Sequence, residues 1–110
     1  MNKNSLNDDK LEEVSGGVAS PEFLAAWNAE YETYKSELIP GSIVGGYVTA
    51  IEEIGTLVEM IPGTKLIGLS FENPGAQPGD YVSVYIKSIL PEKAKIKIRI
   101  DDYFPGGKPR

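Results

Sequence analysis

The sequence predicts a mainly β fold in which one amphipathic helix precedes five strands that form a small closed barrel or sandwich. Two patterns support this prediction. Apolar residues recur with helical spacing between residues 20 and 38, and with a period close to two between residues 41 and 100. No helical pattern interrupts the second region, and several short strands in succession are typical of small all-β domains.

The composition limits the chemistry that the chain can perform. Its 110 residues include neither Cys nor His, which excludes thiol catalysis, Cys/His zinc sites and His-based acid/base catalysis. The carboxylates are scattered, and solvation explains the adjacent pairs among them. We therefore expect a protein that is not an enzyme and that uses no cofactor or metal. No apolar run approaches the roughly 18 residues of a membrane-spanning helix, so we expect no membrane insertion.

The charge is unevenly distributed along the chain. The net charge is −5 and the sequence pI is about 4.7, whereas nucleic-acid-binding domains are usually basic. Seven of the eleven basic residues nevertheless follow position 80. A local basic face can exist on a protein whose total charge is negative.

Composition divides the chain into four parts. Residues 1–19 are expected to form a flexible, leader-like tail, residues 20–39 an amphipathic helix, residues 40–104 the barrel, and residues 105–110 a second flexible tail. Within the barrel region, alternating apolar residues and turn residues predict strands at 42–52, 55–61, 65–71, 80–90 and 93–100.

The predicted helix carries a stripe of large apolar side chains. Ser20 suits the N-cap, Pro21 suits the first helical position, and Pro40 ends the helical pattern. The stripe spans about 100° of the helix surface and consists of Phe23, Leu24, Trp27, Tyr31, Tyr34 and Leu38. We expect it to pack on the barrel, and an exposed partner-binding face is the alternative.

Branched side chains are expected to fill the barrel. Gly46 and Gly55 allow the strands to bend sharply enough to close it. The expected interior residues are Val48, Ile51, Val58, Val82, Val84, Ile86, Ile96 and Ile98.

The strand order and the glycine positions in residues 41–100 resemble those of a known family. The segments GSIVGGYVTAIEEIGTLVEMIPGTKLIGLSF and QPGDYVSVYIKSILPEKAKIKIRI resemble the RNA-binding domain that is repeated in the largest small-subunit ribosomal protein, S-one. The matching positions are Gly41, Gly46, Val48, Gly55, Val58, Gly68, Leu69, Gly79, Asp80 and Val82. The resemblance implies a five-stranded antiparallel OB-fold barrel that holds single-stranded RNA on one face, with bases stacked on aromatic rings and phosphates paired with cations.

The chain departs from that family where RNA is expected to bind. The resemblance places the two usual aromatic residues at Ile54 and Leu57, which have no aromatic ring. The usual His falls at Phe71, the usual Asp at Leu90 and the usual Arg at Lys95. Of these positions, Phe71 keeps a stacking surface and Lys95 keeps a positive charge.

The final predicted strand offers a further source of RNA contacts. Its basic residues alternate with apolar ones, so we expect them to share one face. The sequence therefore predicts a module that binds single-stranded RNA through a basic final strand and nearby aromatic residues. The expected binding residues are Tyr47, Phe71, Tyr85, Lys93, Lys95, Lys97 and Arg99. The alternative is that alternating lysines protect an exposed strand edge from aggregation.

The tail contains a second resemblance. Residues 5–17, SLNDDKLEEVSGG, resemble the double-glycine leader of bacteriocins and related bacterial peptides. In that family the peptidase domain of an ABC exporter holds an amphipathic leader and cleaves it after the second glycine. The resemblance assigns leader recognition and cleavage to Leu6, Leu11, Val14, Gly16 and Gly17.

This second resemblance gives an alternative function, in which an exporter peptidase processes the chain and the barrel acts as a protein-interaction domain. In a helix the three apolar leader residues span about 140°, and glycines without a β-carbon suit a narrow protease cleft. A disordered acidic tail with a glycine linker is the simpler alternative. We expect a cytoplasmic protein, or an exported one if the leader is functional.

Overall fold

The computed structural model describes residues 20–107, in which one α-helix lies across the end of a five-stranded barrel. Helix α1 is Pro21–Tyr34, and a turn of 3-10 helix follows at Lys35–Glu37. The strands are β1 (Ile43–Glu52), β2 (Gly55–Glu59), β3 (Ile67–Ser70), β4 (Tyr81–Leu90) and β5 (Lys95–Phe104). Within the described residues, α1 falls short of the length and hydropathy that crossing a bilayer requires, and so do the shorter helices.

The strands close on themselves in the order β1-β2-β3-β5-β4, with β4 bonded back to β1. The predicted closed barrel with one preceding helix is confirmed, and its architecture is that of the OB fold. One detail of the prediction is wrong, because β3 and β5 pair in parallel while the other four pairings are antiparallel. Both β3 and β5 run in the direction of β1, since each is separated from β1 by one reversing strand.

Helix α1 closes one end of the barrel. The Ser20 hydroxyl accepts the Phe23 N–H at 3.2 Å and caps the helix. Asn28 Nδ2 donates to the Pro91 carbonyl at 3.1 Å, and Trp27 is 1% exposed within the barrel core. The other five residues of the stripe are buried or partly buried against the same core. The stripe therefore packs on the barrel.

Seven of the eight expected interior side chains are buried, and Ile51 is not. The register of β1 against β2 shifts between Val48 and Ala50, so Ile51 lies beyond a bulge and near the open end of the β1–β2 hairpin. There its side chain is 47% exposed. The prediction for Ile51 is wrong because strand alternation does not reveal the bulge.

The last strand begins and ends later than the sequence predicts. Lys93 belongs to a 3-10 turn at Pro91–Lys93, and Ala94 then adopts a left-handed conformation with φ 54° and ψ 47°. This turn delays the start of β5 until Lys95. At the other end, residues 105–107 form a short turn in which the Gly106 N–H donates to Asp80 at 3.3 Å.

Gly55 is required at the β1–β2 turn by both its backbone and its surroundings. Its φ is +150°, and a β-carbon would lie 2.4 Å from the Ser70 carbonyl oxygen of β3. Gly63 provides a contrast, since its φ is +80° but a β-carbon would meet no atom within 4 Å.

We expect Gly55→Ala to lower the free energy of unfolding by about 3 kcal/mol, because it adds a backbone clash of about 1–3 kcal/mol to the cost of positive φ. Gly63→Ala should lower it by only about 1–2 kcal/mol, since that variant has the backbone cost alone. Urea unfolding of both variants measures the difference. Equal losses would contradict the close approach of β3 to Gly55.

Candidate nucleic-acid interface

The outer surface of β5 carries three cations in a row. Ile96, Ile98 and Ile100 point into the core and are at most 6% exposed. Lys95, Lys97 and Arg99 occupy the alternate positions and therefore lie on the outside. Lys95 is half-buried, whereas Lys97 and Arg99 are exposed. The expected fourth member, Lys93, lies in the preceding turn and is not part of the strand.

Strand β5 is not at an edge of the sheet. It pairs with β3 through Ile96, Lys97 and Ile98, and it pairs with β4 along most of its length. Lysines protect a sheet edge by discouraging a further strand from pairing there. Because β5 already has a partner on each side, edge protection does not explain its cations.

A row of side chains crosses the outer surface at Arg99. Arg99 pairs with Tyr85 of β4, and its guanidinium carbon lies 4.6 Å from the centre of the Tyr85 ring. On the other side Ser70, the last residue of β3, pairs with Ile98, and the residue that follows it, Phe71, lines a common cleft with Arg99. The row therefore alternates an aromatic ring, a cation and a second aromatic ring.

Phe71 is held in an exposed position by the turn that follows β3. The buried Ser70 hydroxyl donates to the Glu72 carbonyl at 2.6 Å, which turns the chain at Phe71. Two residues later, Asn73 donates to the Thr56 hydroxyl at 3.0 Å and to the Ala76 carbonyl at 2.9 Å. The Phe71 side chain is 65% exposed, although the backbone around it is fixed by these hydrogen bonds.

A shallow cleft of about 120 Å³ lies between Phe71 and Arg99. Its other lining residues are Ser70, Glu72, Lys87 and Ile98. Binding sites for drug-sized molecules usually have volumes of about 300–1,000 Å³, so this cleft is suited to one small group, such as a phosphate or the edge of a ring. We call it the Phe71–Arg99 cleft.

Lys87 is a cleft residue that the sequence analysis missed. Ile86 pairs with Ile98 and Ser88 pairs with Lys97, so Lys87 is an extra residue that forms a bulge in β4. The bulge places a second cation at the cleft beside Arg99. The sequence contains a sign of it, because the apolar spacing of two in Val84 and Ile86 becomes three between Ile86 and Ile89.

The charge of Arg99 is partly balanced by nearby anions. Its Nε donates to Asp101 Oδ1 at 2.8 Å. That hydrogen bond and the Asp101 charge raise the pKa of Arg99 above its ordinary value, and the charges of Tyr85 and Glu72 contribute less. The guanidinium is therefore cationic at any physiological pH, and it is already partnered in the free protein.

Tyr47 lies apart from the cleft. It pairs with Tyr81 in β4, and their rings meet edge to face with centroids 5.1 Å apart. The β1 partner of Tyr85 is Ile43, four residues earlier, which separates Tyr47 from that row by about 13 Å along the strand. Of the expected aromatic residues, only Phe71 and Tyr85 therefore flank Arg99.

The two positions at which the S-one resemblance expects aromatic rings are aliphatic here and differ in exposure. Leu57 pairs with Leu69, and Leu69 pairs with Lys97, so these three residues form a cross-strand row on the outside of the barrel. Leu57 is 5% exposed and Ile54, in the β1–β2 turn, is 38% exposed. The leader residues Leu6, Leu11, Val14, Gly16 and Gly17 lie outside the described residues, and that interpretation stays a prediction.

Comparison with known proteins does not assign the chain to a family. No protein-family model matches it, and no curated protein matches it. The solved structure of an uncharacterized protein from Methanocaldococcus jannaschii is 28% identical over 61% of this chain and 93% of that chain, with a TM-score of 0.46. At that TM-score the likeness supports no conclusion about the cleft.

We expect Phe71→Ala to change the free energy of unfolding by no more than about 0.5 kcal/mol, because most of the ring is in solvent. Ile98→Ala, which removes a buried side chain from the floor of the same cleft, should lower it by about 2–5 kcal/mol. Urea unfolding monitored by Trp27 fluorescence measures both. A loss of 2 kcal/mol or more for Phe71→Ala would mean that the ring has a packing role.

Proposed function

We propose that the barrel binds single-stranded RNA on the outer surface of β3, β4 and β5, with the Phe71–Arg99 cleft at its centre. The observation that carries this proposal is a 65% exposed phenyl ring fixed beside two cations, Lys87 and Arg99. An exposed aromatic ring gains nothing for folding, whereas a flat ring next to positive charge is the arrangement that binds unpaired nucleotides.

The side chains of this surface divide between two kinds of contact. Phe71 provides a stacking surface for one base, and stacking of this kind tolerates any base because every base has a π face. Lys87, Lys97 and Arg99 provide positive charges for the backbone phosphates. Tyr85, the cross-strand neighbour of Arg99, supports the guanidinium through their cation–π contact.

The dimensions of the surface favour a single strand over a duplex. In a duplex the bases are stacked on each other, and only their edges reach the grooves. A cleft of about 120 Å³ beside one exposed ring can contact the face of a base only if that base is unstacked. Leu69, which is half-buried and pairs with Lys97, adds an apolar surface on which a neighbouring sugar or base can lie.

We expect a short single-stranded RNA, such as a decanucleotide of mixed sequence, to bind with a Kd of about 1–100 μM at low salt. Amide shifts in a titration followed by NMR should centre on Phe71, Lys87, Lys97 and Arg99. With three phosphate contacts, the slope of log K against log salt should be about −2. Phe71→Ala should weaken binding about 5- to 150-fold, since a base–aromatic stack contributes about 1–3 kcal/mol.

Lys65→Gln is the matched charge control for this titration. Lys65 lies six residues before Phe71, in the β2–β3 connection where its N–H donates to Glu30 of the helix. Removing its charge should leave the RNA affinity within about twofold of wild type. Lys97→Gln should lower the RNA affinity, and it should reduce the magnitude of the salt slope by about 0.7. Absence of amide shifts on β5 at low salt would refute the proposal.

A further inference from the structure

Arg99 already holds an anion in the free protein. Its Nε donates to Asp101 Oδ1 at 2.8 Å, and the two residues are two positions apart on the outer surface of β5. Half of the Arg99 side chain and 30% of the Asp101 side chain are exposed. The ion pair therefore lies at the surface, within the interface proposed above.

The contacts of the guanidinium leave part of it unused. One flat face lies over Tyr85, with 4.6 Å from the guanidinium carbon to the ring centre. Over the range 20–107, Asp101 is the one hydrogen-bond acceptor for the Arg99 side chain. Carboxylates and phosphates use the same donors of a guanidinium and approach it in the same plane. A phosphate that binds the Nε edge of Arg99 must therefore compete with the Asp101 carboxylate.

We propose that Asp101 is a built-in competitor for phosphate at Arg99, and that RNA binding exchanges this carboxylate for a backbone phosphate. This inference rests on the proposed function and specifies how the same site chooses its ligand. Arg99 shares its cleft with Phe71, so a nucleotide that displaces Asp101 also gains a stacking contact. A phosphate without a base displaces Asp101 and gains no such contact. Stacking on Phe71 offsets the cost of displacing Asp101 for a nucleotide, and a bare polyanion has no such compensation.

The charges around the cleft agree with this role. Glu72 lines the cleft next to Phe71 and its charge acts on Arg99. Glu72 and Asp101 therefore both place negative charge near the guanidinium. They reduce the attraction of the site for any polyanion, so the stacking surface has to contribute to binding. An exposed ion pair contributes little in itself, and we expect Asp101 to reduce RNA affinity about three- to fivefold.

Asp101→Asn tests the inference, and Asp102→Asn is its matched control. Both substitutions change the net charge by the same amount at adjacent, exposed positions of β5. Asp102 Oδ1 accepts the N–H of Tyr103 and is not an acceptor for Arg99. We expect Asp101→Asn to bind the mixed RNA decanucleotide about three- to fivefold more tightly than wild type, and Asp102→Asn to differ by less than twofold.

The same pair is then compared in an Arg99→Gln background, where the difference between Asp101→Asn and Asp102→Asn should disappear. Inorganic tripolyphosphate serves as the probe without a base. Wild type should bind tripolyphosphate more weakly than it binds the RNA. Asp101→Asn should increase the affinity for tripolyphosphate by at least the factor by which it increases the affinity for RNA.

Each outcome distinguishes the inference from the function on which it rests. If wild type binds RNA but the two Asn variants have equal affinity, the competition is refuted and the interface stands. A difference between those variants that persists in the Arg99→Gln background also refutes the competition, because Arg99 is then not what Asp101 acts on. If neither wild type nor any variant binds RNA, both proposals fail.

Discussion

The structure depends on one constraint, which is that β5 must be paired on both sides while its alternate residues fill the barrel. Ile96, Ile98 and Ile100 occupy the interior at no more than 6% exposure. Because side chains alternate across a strand, Lys95, Lys97 and Arg99 can only face outward. Pairing with β3 and β4 leaves this cationic strand in the middle of a continuous outer surface. Residues from three strands can therefore meet around it.

Two local features convert that surface into a cleft. The bulge at Lys87 adds a cation from β4, and the hydrogen bond from the Ser70 hydroxyl to the Glu72 carbonyl turns the chain so that Phe71 stands in solvent. The side chains of Lys87 and Phe71 are both exposed, so either can vary without loss of the barrel. The proposed interface is thus carried by a rigid support, which is the arrangement that gives exposed contacts a defined geometry. Phe71 and Arg99 owe their proximity to the parallel pairing of β3 with β5.

The periodicity of the sequence predicts the elements but not their irregularities. The alternation of β5 is sufficient to predict that Lys97 and Arg99 share a face, and the spacing of the α1 stripe is sufficient to predict its packing. The bulge at Lys87 and the left-handed Ala94 depend on how strands meet across the barrel, so local propensity does not reveal them. Periodicity also does not reveal that Tyr47 lies away from the cleft, since the stagger between β1 and β4 sets its neighbours.

One contact of the site was within reach of sequence reasoning. Asp101 follows Arg99 by two residues on a strand, so alternation alone places the two charges on the same face. The approach of Phe71 to Arg99 was not predictable in this way, because it requires β3 and β5 to be neighbours. These strands are about 25 residues apart in the chain. The long-range pairing of β3 with β5 is therefore the feature that a direct measurement should test.

Amide hydrogen exchange along β5 is that measurement. In a strand with partners on both sides, consecutive N–H groups point alternately to the two neighbours and all of them are bonded. We expect slow exchange for Ile96, Lys97 and Ile98 alike, since β3 and β4 flank this segment. Fast exchange at every second amide would mean that β5 is an edge strand, and the central, fully paired cationic surface would be refuted.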